Sequence, residues 1–183
     1  MNVLGPFVER LRQQQPGKQV PGFDPADGAS TARVLFLLEA PGPRAVESGK
    51  ISRNNPDQTA TNFNLLLQEA NISPKDIVLW NAVPWYIGNA ELTKIRPARV
   101  ADLREADKHL VELLELLHQL SAVVLVGRKA RHKSVRALIE REAPRVRVFE
   151  CFHPSPLVLN GRPHRRQSIL DVLKEVSALL NGG

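Results

Sequence analysis

Cysteine is nearly absent from this chain, and long apolar runs are missing. Cys151 is the single cysteine among 183 residues, which excludes a disulfide within the chain and any all-cysteine zinc or iron–sulfur site. No apolar run approaches the ~20 residues that a membrane span requires, and residues 1–25 lack the apolar stretch of a secretory signal. These absences predict a cytoplasmic protein that has no membrane partner.

The composition is that of an ordinary globular protein. Hydrophobic residues make up 43% of the chain and charged residues 24%, which excludes a disordered or fibrous protein. The length predicts one domain over residues 1–183, and we expect a monomer. Residues 1–30 are rich in proline and glycine, so we predict that they form an irregular segment wrapped around the outside.

Positive charge is confined to the last third of the chain. The net charge is +6 overall, about −1 over residues 1–120 and +7 over residues 121–183. A concentrated basic region favours binding to a polyanion such as nucleic acid. A solvated basic face explains the same pattern equally well, so charge alone does not decide between them.

Apolar runs alternate with helical patterns along the chain. Four short runs rich in Val, Ile and Leu predict strands buried on both faces, at residues 33–38, 77–80, 122–126 and 146–149. Apolar residues spaced three and four apart predict helices at 61–70, 97–119, 129–141 and 163–180. This alternation predicts an α/β fold, a three-layer α/β/α sandwich around a central parallel four-stranded sheet.

Candidate functional residues follow these strands, because ligands bind beyond the carboxyl ends of parallel strands. Glu39 follows the first run, Asn81 the second and His153 the fourth. Each also has a structural explanation: Glu39 as a cap of the Pro41-Gly42 turn, Asn81 as the close of a strand-end turn, and His153 as a satisfied structural histidine.

Two further features adjoin the third and fourth runs. Arg128 and Lys129 fall in the first turn of a predicted helix, where cations oppose the helix dipole. A bound phosphate would reverse that penalty, whereas side chains turned into water would make it small. Cys151 lies in an apolar stretch, so we interpret it as a core residue rather than a nucleophile.

The motifs at these strand ends resemble those of the uracil-DNA glycosylase superfamily. Leu38-Glu-Ala-Pro-Gly42 resembles its Gly-Glu-Ala-Pro-Gly motif, and His153-Pro-Ser-Pro-Leu157 resembles its minor-groove loop. Asn81 matches the asparagine that recognises the uracil edge. Order and spacing agree over roughly residues 33–175. The chain departs from the pattern at Leu38, which replaces a glycine, and at Ala40, where some branches carry a catalytic aspartate.

The resemblance implies a DNA repair glycosylase that flips uracil, or a related deaminated base, out of DNA and hydrolyses its N-glycosidic bond. It implies that Glu39 positions or activates the attacking water and that His153 stabilises the leaving base. It also implies that Asn81 pairs with the base and that the Pro41-Gly42 backbone passes close to the substrate. No metal or cofactor is expected, because the cysteines of the iron–sulfur branch are missing.

The resemblance also assigns DNA contacts. Leu157 is expected to wedge into the vacated stack, Ser155 to clamp a flanking phosphate, and Arg128 and Lys129 to bind the DNA backbone. Residues 49–55 lack the aromatic residue that stacks on uracil in the cluster-containing branch. Trp85 or Tyr86 is a candidate substitute, and packing against the sheet edge explains either residue at least as well. Two alternatives stay open: a non-catalytic nucleic-acid-binding protein of the same fold, and a small-molecule nucleoside or nucleotide hydrolase.

Overall fold

A four-stranded sheet forms the centre of the computed structural model, which describes residues 3–182. Residues 1, 2 and 183, which the predicted domain includes, lie outside the described residues. The strands are β1 (Gly22–Phe23), β2 (Val34–Leu38), β3 (Lys50–Ile51), β4 (Ile77–Asn81), β5 (Ala122–Val126) and β6 (Arg147–Cys151). The helices are α1 (Leu4–Gln14), α2 (Pro43–Ser48), α3 (Gln58–Glu69), α4 (Val100–Leu116), α5 (Gly127–Ala130), α6 (Lys133–Glu142), α7 (Pro156–Leu159) and α8 (Pro163–Leu180).

The central sheet has the order β4-β2-β5-β6, and all of its strands are parallel. Its strands are apolar because helices cover both faces of the sheet. Leu38 pairs with Asn81, and Val126 pairs with Cys151, so the four strands end at one common edge. The predicted parallel sheet is thereby confirmed. A second pair of short parallel strands, β1 and β3, lies beside it.

Two groups of helices complete the sandwich. Helices α1, α4 and α6 pack together, and α3 packs with α8. The predicted helix over 129–141 is interrupted, because His132 accepts a hydrogen bond from the amide of Ser134 and starts α6 anew. The short α5 ends before that point.

The N-terminal segment is not irregular throughout, so that prediction was wrong for Leu4–Gln14, which form α1. Leu4, Phe7, Val8 and Leu11 recur at helical spacing and are buried. The proline and glycine content of residues 1–30 concealed this periodicity. None of the helices within residues 3–182 combines the length and the apolar character needed to cross a membrane.

Candidate active site

A cavity of about 510 Å³ lies at the edge where the strands of the central sheet end. Glu39, Asn81 and His153 all line it, as do Pro41 and Gly42. These residues follow or end three different strands, β2, β4 and β6. The structure therefore brings together the five residues that the sequence placed in catalysis and substrate binding at these strand ends.

Glu39 is held by a backbone amide of the segment that precedes α4. Its Oε1 accepts a hydrogen bond from Ala98 N at 2.6 Å. The carboxylate therefore does not cap the Pro41-Gly42 turn, as the structural alternative required. No hydrogen bond joins Oε2 to the rest of residues 3–182, so this oxygen is available to a ligand or a water.

Asn81 ends β4 and is only 3% exposed. Its Nδ2 is buried and has no hydrogen-bond partner among the described residues. Leaving a buried donor unpaired costs about 1–3 kcal/mol. A turn-closing role would have satisfied this amide, whereas a ligand that carries an acceptor into the cavity would recover the cost.

His153 stands on a loop that is fixed from two sides. Asn62 donates from Nδ2 to Pro154 O at 2.9 Å. Gly127 has φ +82°, and a Cβ at this position would lie 3.1 Å from the Cβ of His153. Burial lowers the pKa of His153, and the charge of Asp57 only opposes that shift. The imidazole is therefore neutral at pH 7, with one N–H to donate.

Comparison with known proteins agrees with this arrangement. The family model of the uracil DNA glycosylase superfamily matches residues 25–176. The chain belongs to this superfamily. Comparison with curated proteins finds no match.

Two solved structures share the superfamily's fold with this chain. SMUG2 from Pedobacter heparinus is 12% identical, with a TM-score of 0.56 and coverage of 96% of this chain and 99% of its own. The solution structure of a candidate uracil DNA glycosylase from Methanosarcina acetivorans is 14% identical, with a TM-score of 0.55 and coverage of 85% and 97%. At such identities the likeness establishes the architecture alone.

The sequence did not identify one wall of the cavity in this superfamily member. Arg53 lines the cavity, and its Nε donates to Asp27 Oδ1 at 3.0 Å while its Nη1 donates to Asn64 Oδ1 at 2.9 Å. Burial raises the pKa of Asp27 to about 6 despite the neighbouring Arg53 charge. Asp24 accepts hydrogen bonds from the side chains of Ser52 and Asn54. These buried acids fasten the loop that follows β3.

Trp85 does not reach the cavity, so its predicted role in substrate binding was wrong. The indole is 2% exposed and packs edge-on against His109, at 6.2 Å between ring centroids. Lys18 Nζ lies 3.8 Å from the Trp85 ring centroid. His109 is buried there, and burial lowers its pKa. The neighbouring Tyr86 donates its hydroxyl to Lys94 O.

The residues predicted to contact DNA lie around the same edge. Leu157 is 85% exposed in α7, which follows Ser155 directly. Arg128 is exposed and Lys129 half-buried, but α5 is a single turn. The helix-dipole argument for these two cations was therefore wrong, because so short a helix has no appreciable dipole.

Further cations surround the His153 loop. The guanidinium carbons of Arg131 and Arg165 lie 5.6 and 5.3 Å from the ring centroid of Phe152. Cys151, two residues before His153, is buried, as predicted, and burial raises the pKa of its thiol to about 12. It is therefore no nucleophile. Within residues 3–182, no three His, Cys, Asp or Glu side chains come together as metal ligands.

Proposed function

We propose that this protein is a DNA glycosylase that hydrolyses the N-glycosidic bond of uracil, or of a related deaminated base, extruded from DNA. The observation that carries this proposal is the meeting of Glu39, Asn81 and His153 in one cavity at the ends of three strands. Membership of a superfamily of glycosylases supports it.

Asn81 supplies the recognition of the base in this proposal. Its Nδ2 donates to uracil O4, and its Oδ1 accepts from uracil N3–H. The buried Nδ2 supports this role, because the base then provides the acceptor that residues 3–182 do not offer it. The extruded base loses stacking at a cost of a few kcal/mol, which such contacts offset.

Glu39 and His153 act on the bond that breaks. The pair of electrons in the bond between C1′ and N1 leaves with uracil, which departs as an anion. The water oxygen forms the new bond to C1′, and Glu39 Oε2 takes up a proton from that water. The same proton finally neutralises the uracil anion. The neutral His153 donates a hydrogen bond to uracil O2 as the negative charge develops there. The Glu39 carboxylate also stabilises the positive charge on the sugar.

Exposed and partly exposed residues around this cavity hold the DNA. Leu157 fills the gap left by the extruded base, and its exposure supports this role because little else in the fold contacts it. Ser155, Arg128 and Lys129 contact phosphates. Arg162 donates from Nη1 to Leu157 O at 2.8 Å, which fixes the backbone of the wedge.

A panel of three substrates tests this proposal: a duplex with one uracil, the undamaged duplex, and free deoxyuridine. Abasic sites in the uracil duplex alone are the expected result. Binding without cleavage would identify a non-catalytic DNA-binding protein, and hydrolysis of free deoxyuridine would identify a small-molecule hydrolase. Either result contradicts the proposal.

A further inference from the structure

The segment between β4 and α4 forms a loop, residues 86–97, that is closed by its own hydrogen bonds. Asn89 Oδ1 accepts from Thr93 N at 3.0 Å and from Lys94 N at 2.8 Å. Asn89 N and the Tyr86 hydroxyl donate to Lys94 O at 2.9 and 3.0 Å. The backbone on the N-terminal side of Ile95 is thereby fixed.

Two more contacts fix the far side of this loop. Gly88 pairs with Ile95 in an antiparallel bridge. A Cβ on Gly88 would come within 2.0 Å of the Tyr86 hydroxyl and 2.3 Å of Lys94 O, so only glycine permits this closure. Arg96 donates to both carboxylate oxygens of Asp102 at 2.7 and 2.8 Å.

This rigid loop presents an apolar side chain at the cavity. Ile95 lines the cavity and is 45% exposed. Lys94, its neighbour, is exposed and forms no ion pair with any described residue. An aliphatic residue beside an unpaired cation suits a nucleotide, which offers an apolar sugar and base face next to a phosphate.

Ile95 and Leu157 occupy different positions relative to the cavity. Their loops leave the two outer strands of the sheet, β4 and β6, which are three strand spacings or about 14 Å apart. Ile95 forms part of the cavity wall, whereas Leu157 does not. One side chain can therefore contact a nucleotide inside the cavity, while the other reaches the duplex beside it.

We propose that Ile95 packs against the extruded nucleotide and that Lys94 contacts a phosphate next to it. This inference rests on the proposed glycosylase function. Ile95 then retains the nucleotide after extrusion, while Leu157 fills the space that the base leaves in the stack. The two roles differ in one measurable respect: retention is needed for any DNA substrate, whereas a wedge is needed only where a stack exists.

Cleavage of uracil in single-stranded and duplex DNA separates these roles. Ile95→Ala should lower kcat/KM about tenfold on both substrates, because the variant no longer buries the apolar surface of Ile95 against the nucleotide. Leu157→Ala should lower it more on the duplex than on the single strand. Val100→Ala is the matched control, because Val100 is 46% exposed and does not line the cavity. Ile95→Leu should retain most of the parent activity.

Parent-like cleavage of the single strand by Ile95→Ala would overturn the inference, and so would equal losses in Ile95→Ala and Val100→Ala. A parent protein that cleaves neither substrate would instead refute the glycosylase proposal. Fluorescence anisotropy then decides the role of Ile95, with a labelled single strand that carries one uracil. Weaker binding by Ile95→Ala than by Val100→Ala supports the contact, and equal binding overturns it.

Discussion

The two ends of the central sheet differ in how their polar groups are paired. At the amino end, Arg33 donates to Asp76 Oδ1 at 2.9 Å and to Leu180 O at 2.7 Å. At the carboxyl end, Asn81 Nδ2 has no partner, and His153 makes no hydrogen bond with any of residues 3–182. One end of the sheet is closed by internal bonds, and the other keeps its donors for a ligand.

The carboxyl end, called the open end below, is nevertheless rigid. The residues that hold its functional side chains in place form hydrogen bonds, although the functional atoms themselves do not. Arg53 and Asp27 hold one wall, Asn62 holds the His153 loop, and Ala98 N holds Glu39. Preorganised donors need no rearrangement when charge develops on a substrate. The difference between the two ends therefore predicts which substitutions change activity and which change stability.

The largest effect is expected at the open end, for His153→Ala. A donor that acts mainly in the transition state contributes about 2.7–4 kcal/mol, or roughly 10²–10³ in rate. Single-turnover cleavage of uracil DNA should slow by that factor, while the affinity for DNA stays within a few-fold of the parent. His118→Ala, at an exposed position, is the control. Equal losses of binding and cleavage would make His153 a structural part of the DNA contact.

Asn81→Asp tests the unpaired donor itself. The change places an acceptor where Nδ2 donates, so recognition of uracil O4 should weaken by about 1–3 kcal/mol. Cleavage of cytosine should gain relative to uracil, since the cytosine amino group is a donor. Competition between the two substrates measures this ratio, and thermal unfolding checks that the variant folds. Full uracil activity would leave Asn81 without the recognition role.

The closed end should respond in the opposite way. Arg33→Ala removes two charge-assisted hydrogen bonds and should lower the free energy of unfolding by about 1–2 kcal/mol. The cleavage rate of the folded variant should equal that of the parent. Arg141→Ala, which breaks the exposed pair with Glu142, should change stability by less than about 0.5 kcal/mol. Denaturant titration measures both. A slower cleavage step in Arg33→Ala would remove the distinction between the two ends.

Asp27, which holds one wall of the open end through Arg53, makes the stability of the protein depend on pH. Its pKa is raised from 3.8 to about 6, so the folded state binds a proton more tightly than the unfolded state, and stability falls as pH rises through this window. At pH 7 the ionised Asp27 carboxyl lowers the free energy of unfolding by about 3 kcal/mol. Roughly 1 kcal/mol of this loss is recovered when the pH falls to 5. Relative to Asp27→Asn, the parent should therefore gain stability as pH falls from 7 to 5. A parallel pH dependence of the two proteins would contradict this.

The smallest effect is expected for the surface cations. Arg128→Ala combined with Lys129→Ala should flatten the slope of log affinity against log salt by about 1–2, one for each lost phosphate contact. All DNA sequences should be weakened alike. Arg145→Ala is the control, because this exposed residue precedes β6 at the closed end. An unchanged salt dependence in the double variant would show that Arg128 and Lys129 do not contact DNA phosphates.

The sheet and the residues at its carboxyl edge could be predicted because both depend on local pattern. Runs such as Val34–Leu38 are apolar throughout, and parallel strands bring their ends to one edge whatever the loops do. Glu39, Asn81 and His153 followed from that rule. The resemblance to the superfamily then gave each a role, which stays a prediction.

The remaining features depend on contacts between distant parts of the chain. Arg53 meets Asp27 across 26 positions, and no periodicity marks either residue. Trp85 is buried because Lys18 and His109 cover it, and they come from other elements of the fold. The order of polar and apolar residues around Arg131 fits a continuous helix, so only the hydrogen bond at His132 reveals the break.

The burial of Cys151 makes the natural chain suitable for site-directed labelling. Its thiol is 3% exposed with a pKa of about 12, so maleimides and disulfide reagents will not attack it in the folded protein. A cysteine introduced at an exposed position, such as residue 157 or 100, becomes the one reactive thiol. Fluorophores and cross-linkers to modified DNA can then be attached without first replacing a native residue beside His153.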